Sequence, residues 1–204
     1  MKYNVYALGI MVAVVSFLGF VVENIWLAMT KGYMNNRNMN APFLLGYGLL
    51  ILFMFFILGT PNDMILPSKI KKKLSKRAEI LLYFVCAFVL VCVSEIALGT
   101  IVEKICHIEY WNYSNLPMHI TKYTSVPTSL AFASLITVFM GVIFTPLMNN
   151  IMRVDIKYLK IISTVLVVIM TADFISSFYK MIKKKSFLLL WQIPVEKVQL
   201  KLFN

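Results

Sequence analysis

Val89–Ser114 reads VLVCVSEIALGTIVEKICHIEYWNYS, a long apolar run that acquires two carboxylates before it ends. Within it, residues at intervals of four form the series Glu95, Gly99, Glu103 and His107. On a helix of 3.6 residues per turn this series makes one slowly drifting stripe. Because a carboxylate at the bilayer centre costs roughly 2.5 kcal/mol or more, Glu95 is a candidate functional residue. The alternative is a protonated side chain that hydrogen-bonds to a neighbouring helix.

The composition is typical of an integral membrane protein. Of the 204 residues, 60% are hydrophobic and 14% are charged, whereas soluble domains carry roughly 25% charged residues. The net charge of +11 would favour nucleic-acid binding in a soluble protein. Here the basic residues cluster beside apolar segments, where anionic lipid headgroups are the better partner. We therefore expect membrane lipids and no nucleic acid as partners. The cysteine spacing predicts no zinc site. A hard cation typically needs six or more oxygen ligands, and the sequence offers only three or four candidates. We therefore expect no metal and no cofactor.

Five apolar segments predict an all-α polytopic protein, with about five transmembrane helices in one bundle over residues 1–180. The predicted spans are 5–29, 42–59, 79–98, 126–148 and 158–179. The first is long enough to cross the ~30 Å hydrocarbon core. Pro146 is expected to kink or end the fourth span. The remaining tail, 181–204, is basic and too charged to cross, which favours an interfacial segment.

The orientation follows from a lysine-rich connection. Residues 69–77 read KIKKKLSKR, six positive charges within nine residues, and the positive-inside rule predicts that this connection is cytoplasmic. The N-terminus would then be inside, and the first and third connections outside. Five spans would also place the basic tail outside, against the same rule. Either the fifth span does not cross fully, or the earlier spans overrule the charge of the tail.

Under this orientation, three acids lie toward the outer ends of separate spans: Glu23, Glu95 and Asp173. The adjoining connections carry Arg37 and the group Trp111–Ser114. We therefore predict a polar chamber at the outer face. Arg37 would neutralise part of its charge, because unpaired carboxylates at close range raise one another's pKa. The alternative for Arg37 is a solvated loop charge.

Several motifs also resemble a known family. SFLGFVVE, NR, APFLLGYG, SEIALGTIVEK, YWNYS and TPLM, within about residues 10 to 150, are similar to motifs of the bacterial ABC-transporter permease family of the CmpB type. The matching positions are Ser16, Gly19, Glu23, Asn36, Arg37, Pro42, Tyr47, Gly48, Glu95, Gly99, Glu103, Trp111, Tyr113, Ser114 and Pro146. The chain departs from the family pattern at Phe20, Asn38, Ala41, Leu45 and Asn112. Asn112 stands where the family has an aspartate, and the loss of that acid implies altered activity.

The resemblance implies a multi-pass, permease-type component of a transporter in a bacterial cell (plasma) membrane. The predicted substrate-binding or chamber residues are Glu23, Asn36, Arg37, Tyr47, Glu95, Glu103, Trp111, Tyr113 and Asp173; no catalytic residue is predicted. The sequence contains no G-x-x-x-x-G-K-[ST] motif, so ATP-driven transport would need a separate ATPase subunit. Five spans are few for a transport pathway, which favours a homo-oligomer or a partner.

Two other classes of function stay open. The first is a membrane enzyme whose carboxylates, with Arg37 and Tyr113, act on a lipid-linked or amphipathic substrate by acid–base chemistry. The second is a structural or regulatory membrane subunit in which the acids serve assembly. Turnover of a lipid substrate by the purified chain without a partner would separate the enzyme from the permease.

Overall fold

The computed structural model describes residues 3–67 and 74–195, and this part of the chain is mostly helical. The helices are α1 Val5–Lys31, α2 Leu45–Leu58, α3 Lys76–Cys106, α4 Val126–Ile151 and α5 Ile156–Lys184. The strands are the short segments β1 Tyr33–Asn35, β2 Gly59–Thr60, β3 Asp63–Met64, β4 His119–Thr121, β5 Thr124–Ser125 and β6 Gln192–Pro194. They pair as β1–β6, β2–β3 and β4–β5, all antiparallel. The predicted all-α class is confirmed.

Four of the helices are long and apolar enough to cross a membrane: α1, α3, α4 and α5 have 26 to 31 residues. Helix α2 is apolar but has only 14 residues, which gives a length of about 21 Å at 1.5 Å per residue. Together the five helices correspond to the five apolar segments of the sequence. Most of the lysine-rich connection, residues 68–73, and the end of the tail, 196–204, lie outside the described residues.

The helix boundaries follow local capping. Asn4 caps the start of α1 by accepting a hydrogen bond from the main chain of Ala7 at 2.8 Å, and Gly32 ends this helix in the left-handed conformation. Helix α3 begins after Ser75 and ends at Cys106, and the next residue, His107, adopts the left-handed conformation. The helix therefore extends beyond the predicted span, which ended at residue 98, and includes both Glu95 and Glu103.

Pro146 does not end the fourth helix, which continues to Ile151. A π-helical turn, Phe139–Ile143, precedes it. A proline ring clashes with the carbonyl four residues earlier, here that of Val142, and this carbonyl lies within the widened turn. A π turn inside a helix is a local insertion that an α-helix tolerates. The proline is therefore accommodated without a break.

The chain forms two compact units. Among the described residues, the first consists of 3–50 and 154–195, and the second of 51–67 and 74–153. In the first unit α1 packs along α5, with Met11 and Met170 buried. In the second unit α3 packs along α4, with Tyr83 and Met140 buried.

The segment that follows α5 is attached to the first connection. Strand β6 pairs with β1 so that Ile193 lies opposite Met34. Asn36, which is buried, donates from Nδ2 to the carbonyl of Leu188 at 2.7 Å and accepts at Oδ1 from the main-chain N–H of Leu190 at 3.0 Å. The described part of the basic tail therefore lies beside the loop between α1 and α2.

Candidate functional site

In the first unit, both carboxylate oxygens of Glu23 are hydrogen-bonded. Oε2 accepts from Arg37 Nη2 at 2.8 Å, and Oε1 accepts from the Tyr47 hydroxyl at 2.5 Å. The side chains of Glu23 and Arg37 are each 20% exposed. Three residues that the sequence predicts as site residues thus form one cluster. It combines an acid within an apolar helix, a cation from the loop and a phenol from α2.

Two local features position this cluster. Gly19 lies one helical turn before Glu23, and the ring of Tyr47 packs directly on it; a Cβ at Gly19 would lie 2.5 Å from Tyr47 Cγ. Arg37 has a φ of 47°, and its N–H donates to Asn35 Oδ1 at 2.9 Å. An asparagine that accepts from the main chain two residues later is typical of a tight turn. This turn directs Arg37 toward Glu23.

Asp173 holds the first connection to α5. Its Oδ1 accepts from the N–H and the side-chain amide of Asn40 at 2.9 and 2.7 Å, and its Oδ2 accepts from the N–H of Ala41 at 3.2 Å. Lys180 Nζ donates to Asn40 Oδ1 at 2.8 Å. Asp173 is buried. The described hydrogen bonds of Asp173, like those of Asn36, are those of a residue that fixes a loop.

In the second unit, Glu95 accepts hydrogen bonds from two hydroxyl groups. Thr124 Oγ1 donates to Glu95 Oε2 at 2.6 Å, and Ser129 Oγ donates to the same oxygen at 3.0 Å. Both hydroxyl residues are fully buried. The carboxyl group therefore contacts the neighbouring helix α4, where Ser129 lies.

Glu103 is held in the same way as Glu23. Its Oε1 accepts from Lys122 Nζ at 2.5 Å, and its Oε2 accepts from the Tyr123 hydroxyl at 2.6 Å. Gly99 lies four residues before Glu103, and the ring of Tyr123 packs on it. Each unit therefore contains a Gly-x-x-x-Glu turn covered by a tyrosine, with a cation on the second carboxylate oxygen.

The third connection adds a second acid to this cluster. Lys122 Nζ also donates to Glu109 Oε1 at 2.9 Å, and Asn112 Nδ2 donates to Glu109 Oε2 at 3.0 Å. These hydrogen bonds hold the pKa of Glu109 below its usual value. The bonds to Glu103 and Glu109 raise the pKa of Lys122. An aspartate in place of Asn112 would have no N–H to donate.

Trp111 and Tyr113 support the position of Tyr123. Trp111 Nε1 donates to the Tyr123 carbonyl at 2.8 Å, and the two rings meet edge to face at 5.8 Å. The main-chain N–H of Tyr113 donates to the carbonyl of Lys122 at 2.7 Å. The Trp-Asn-Tyr-Ser segment thus orders the side of the loop that carries Lys122 and Tyr123.

The site residues predicted from the sequence did not include seven residues of these clusters: Asn40, Glu109, Lys122, Tyr123, Thr124, Ser129 and Lys180. Spacing along the chain gives no signal for Thr124 or Ser129, since a hydroxyl residue is common at a helix start. A signal for Lys122 and Tyr123 does exist, because GFVVE and GTIVE are each followed by a loop and then by a cation and a tyrosine. That the clusters line one chamber stays a prediction.

The family model described as "Putative ABC-transporter type IV" matches residues 10–178. The chain belongs to this family. The match to the ABC-transporter type IV model extends from α1 into α5 and includes Glu23, Glu95, Glu103 and Asp173. With its long apolar helices, the chain is a membrane protein related to ABC transporters. No curated protein and no solved structure matches it.

Within residues 3–67 and 74–195, no group of three or more His, Cys, Asp or Glu side chains could hold a metal ion. The oxygen atoms of Glu23, Glu103 and Glu109 are engaged by Arg, Lys, Tyr or Asn donors.

Proposed function

We propose that the chain is the permease-type, membrane-spanning component of a transporter in a bacterial plasma membrane. Membership of the ABC-transporter type IV family and the four long apolar helices support this. The observation that carries the proposal is the repeated arrangement at Glu23 and Glu103, each on an apolar helix and each held by a tyrosine and a cation. Ionisable residues within spans typically mark substrate or ion pathways, and transporters are often built from internal repeats.

The two ion pairs would act as exchangeable contacts. The Glu23–Arg37 pair is partly exposed, as is the Glu103–Lys122 pair, so a polar or cationic substrate group can compete with Arg37 or Lys122 for a carboxylate oxygen. The tyrosine hydroxyl would keep the other oxygen satisfied during the exchange. Energy would come from a separate ATPase subunit, because the sequence has no phosphate-binding loop.

A test can use the native host with the gene deleted. Metabolites retained or lost by the deletion strain would be compared with those of strains that express wild type, Glu23→Gln or Glu103→Gln at equal membrane abundance. We expect the wild-type protein to restore the normal distribution of these metabolites across the membrane. Neither variant should restore it. Glu109→Gln is the matched control, since it removes an acid of the exposed loop while Glu103 still accepts from Lys122 and Tyr123.

Two outcomes would contradict the proposal. Turnover of a lipid by the purified chain, without an ATPase and with loss in Glu23→Gln, would identify an enzyme. An unchanged metabolite distribution in the deletion strain, combined with failure of both carboxylate variants to assemble in the membrane, would assign the acids to assembly of a structural or regulatory subunit.

A further inference from the structure

We propose that residues 186–195, the C-terminal strap, form an interfacial anchor that lies in the headgroup layer on the side of the first connection and prefers anionic lipid. The proposal concerns where this segment lies and does not depend on transport. It rests on exposed apolar side chains, on satisfied main-chain groups, and on lysines at the adjoining helix ends.

The strap exposes an apolar surface. Five side chains are 40% to 57% exposed: Phe187, Leu189, Leu190, Trp191 and Ile193. A contiguous apolar surface on a short segment marks an interaction site. A segment of ten residues is too short to cross the membrane as a helix, which needs about 20 residues, so the surface fits a position along the interface.

Main-chain groups of the strap are already paired. Strand β6 bonds to β1, Val195 N–H donates to the Gly32 carbonyl at 3.0 Å, and Asn36 engages Leu188 and Leu190. Paired main-chain groups are the requirement for backbone that borders hydrocarbon. A free loop in water would need no such pairing.

Aromatic residues place the strap at the boundary between lipid and water. Trp191 packs edge to face on Phe20 at 6.4 Å and keeps 40% of its surface exposed. Trp26, near the end of α1, and Tyr179, near the end of α5, are also exposed. Trp and Tyr are enriched at both membrane–water interfaces.

The charges around the strap select the lipid. Helix α5 ends in the exposed lysines 183–185, and α1 ends at the exposed Lys31. The β1–β6 pairing holds the ends of both helices beside the strap. Long lysine side chains near helix ends extend to the headgroups, and juxtamembrane lysines attract anionic lipid. Apolar residues flanked by cations thus fit an anionic lipid surface.

The experiment uses the full chain in vesicles. Ile193→Cys, in a background without Cys86, Cys92 and Cys106, would carry a bimane label. We expect stronger quenching by phosphatidylcholine spin-labelled at acyl carbon 5 than at carbon 12, and stronger quenching by spin-labelled phosphatidylglycerol than by the matching phosphatidylcholine. Asn115→Cys, on an exposed loop, is the aqueous reference and should be quenched by iodide.

The lipid preference should follow the lysines. The combined variant Lys183→Gln, Lys184→Gln and Lys185→Gln should lower the preference for phosphatidylglycerol at position 193, on the order of fivefold per charge removed. Arg153→Gln with Lys157→Gln, which neutralises exposed cations at the opposite end of α5, should leave it unchanged. A second measurement uses the chain with its native cysteines. It follows quenching of Trp191 by brominated lipid, taken as the difference between wild type and Trp191→Phe.

Three results would overturn the proposal. Iodide quenching of position 193 equal to that of position 115 would place the strap in water. Protection from iodide and from both lipid quenchers would mean that a protein surface covers it. Equal quenching by the two headgroup classes in the wild-type chain would remove the anionic preference.

Discussion

The ring of Tyr47 packs on Gly19, and this contact brings its hydroxyl to 2.5 Å from Glu23, one helical turn farther along α1. Residues four apart share one face of a helix, so a glycine leaves the space in which the ring can lie close enough to reach the acid. The second unit repeats the arrangement with Tyr123 on Gly99 and Glu103.

Gly19→Ala should destabilise the first unit. The added Cβ would meet three atoms of Tyr47 at 2.5 to 2.9 Å, and overpacking of this kind costs about 1–3 kcal/mol. Unfolding in detergent would measure the change. Gly46→Ala is the matched control, because no atom lies within 4 Å of its Cβ position and alanine favours the helix by about 1 kcal/mol. Equal effects at both positions would contradict the packing of Tyr47 on Gly19.

Asp173→Asn should loosen the first connection. Asp173 accepts from the main-chain N–H groups of Asn40 and Ala41, and an amide presents only one acceptor oxygen, which leaves one of these partly buried N–H groups unpaired at a cost of about 1 kcal/mol. Hydrogen exchange over residues 36–44 should become faster. Asp155→Asn is the control, since asparagine caps a helix as well as aspartate does. Unchanged exchange in Asp173→Asn would show that these bonds do not hold the loop.

The third connection should loosen in acid. The pKa of Glu109 is lowered by its bonds to Lys122 and Asn112, so its contribution is complete above the unfolded-state pKa of about 4.3 and is lost as the pH falls through the lower folded-state value. The pKa of Lys122 is raised, so its contribution is complete below the unfolded-state pKa of about 10.4 and is lost as the pH rises from there through the higher folded-state value. A spin label at Asn115→Cys should therefore gain mobility below about pH 4. Glu109→Gln should reduce this acid transition.

Asn112→Asp tests the same contact from the other side. A second carboxylate beside Glu109 would replace a donor with a like charge, and two neighbouring carboxylates raise one another's pKa. The acid transition should then begin at a higher pH than in wild type. An unchanged transition would mean that Asn112 does not act on Glu109.

The chain should cross the membrane five times. The β1–β6 pairing places residues 192–194 on the same side as 33–35, and an even number of crossings between these strands requires α2 to cross together with α3, α4 and α5. Cysteines at positions 115 and 193 should be labelled from one side, and a cysteine at Arg153 from the other. Labelling of 193 and 153 from the same side would show that α5 does not cross, and labelling of cysteines at the exposed Lys31 and Asn62 from the same side would show that α2 does not cross.

The amino-acid sequence determined the membrane class, the five helices and the acids within them. These features depend on hydropathy and on residue spacing along one helix, which are local properties of the chain. Glu23, Arg37 and Tyr47 could each be named as candidate site residues from the sequence, because each carried its own signal, as an acid in an apolar run or as part of a motif. The four-residue spacing of Gly99 and Glu103 could also be read from the sequence, because both residues lie on the same helix.

Tertiary structure alone decided which donor meets which acid. Lys122 and Thr124 reach their carboxylates because a long loop folds back on α3, and Ser129 does so because α4 packs along α3; loop paths and helix packing depend on tertiary contacts rather than on periodicity. The tail behaved likewise: its charge favoured an interfacial segment, and main-chain pairing attached its described part to β1. Hydrogen bonds between distant main-chain groups leave no pattern in side-chain composition, and so only the folded chain could place residues 186–195 beside Asn36.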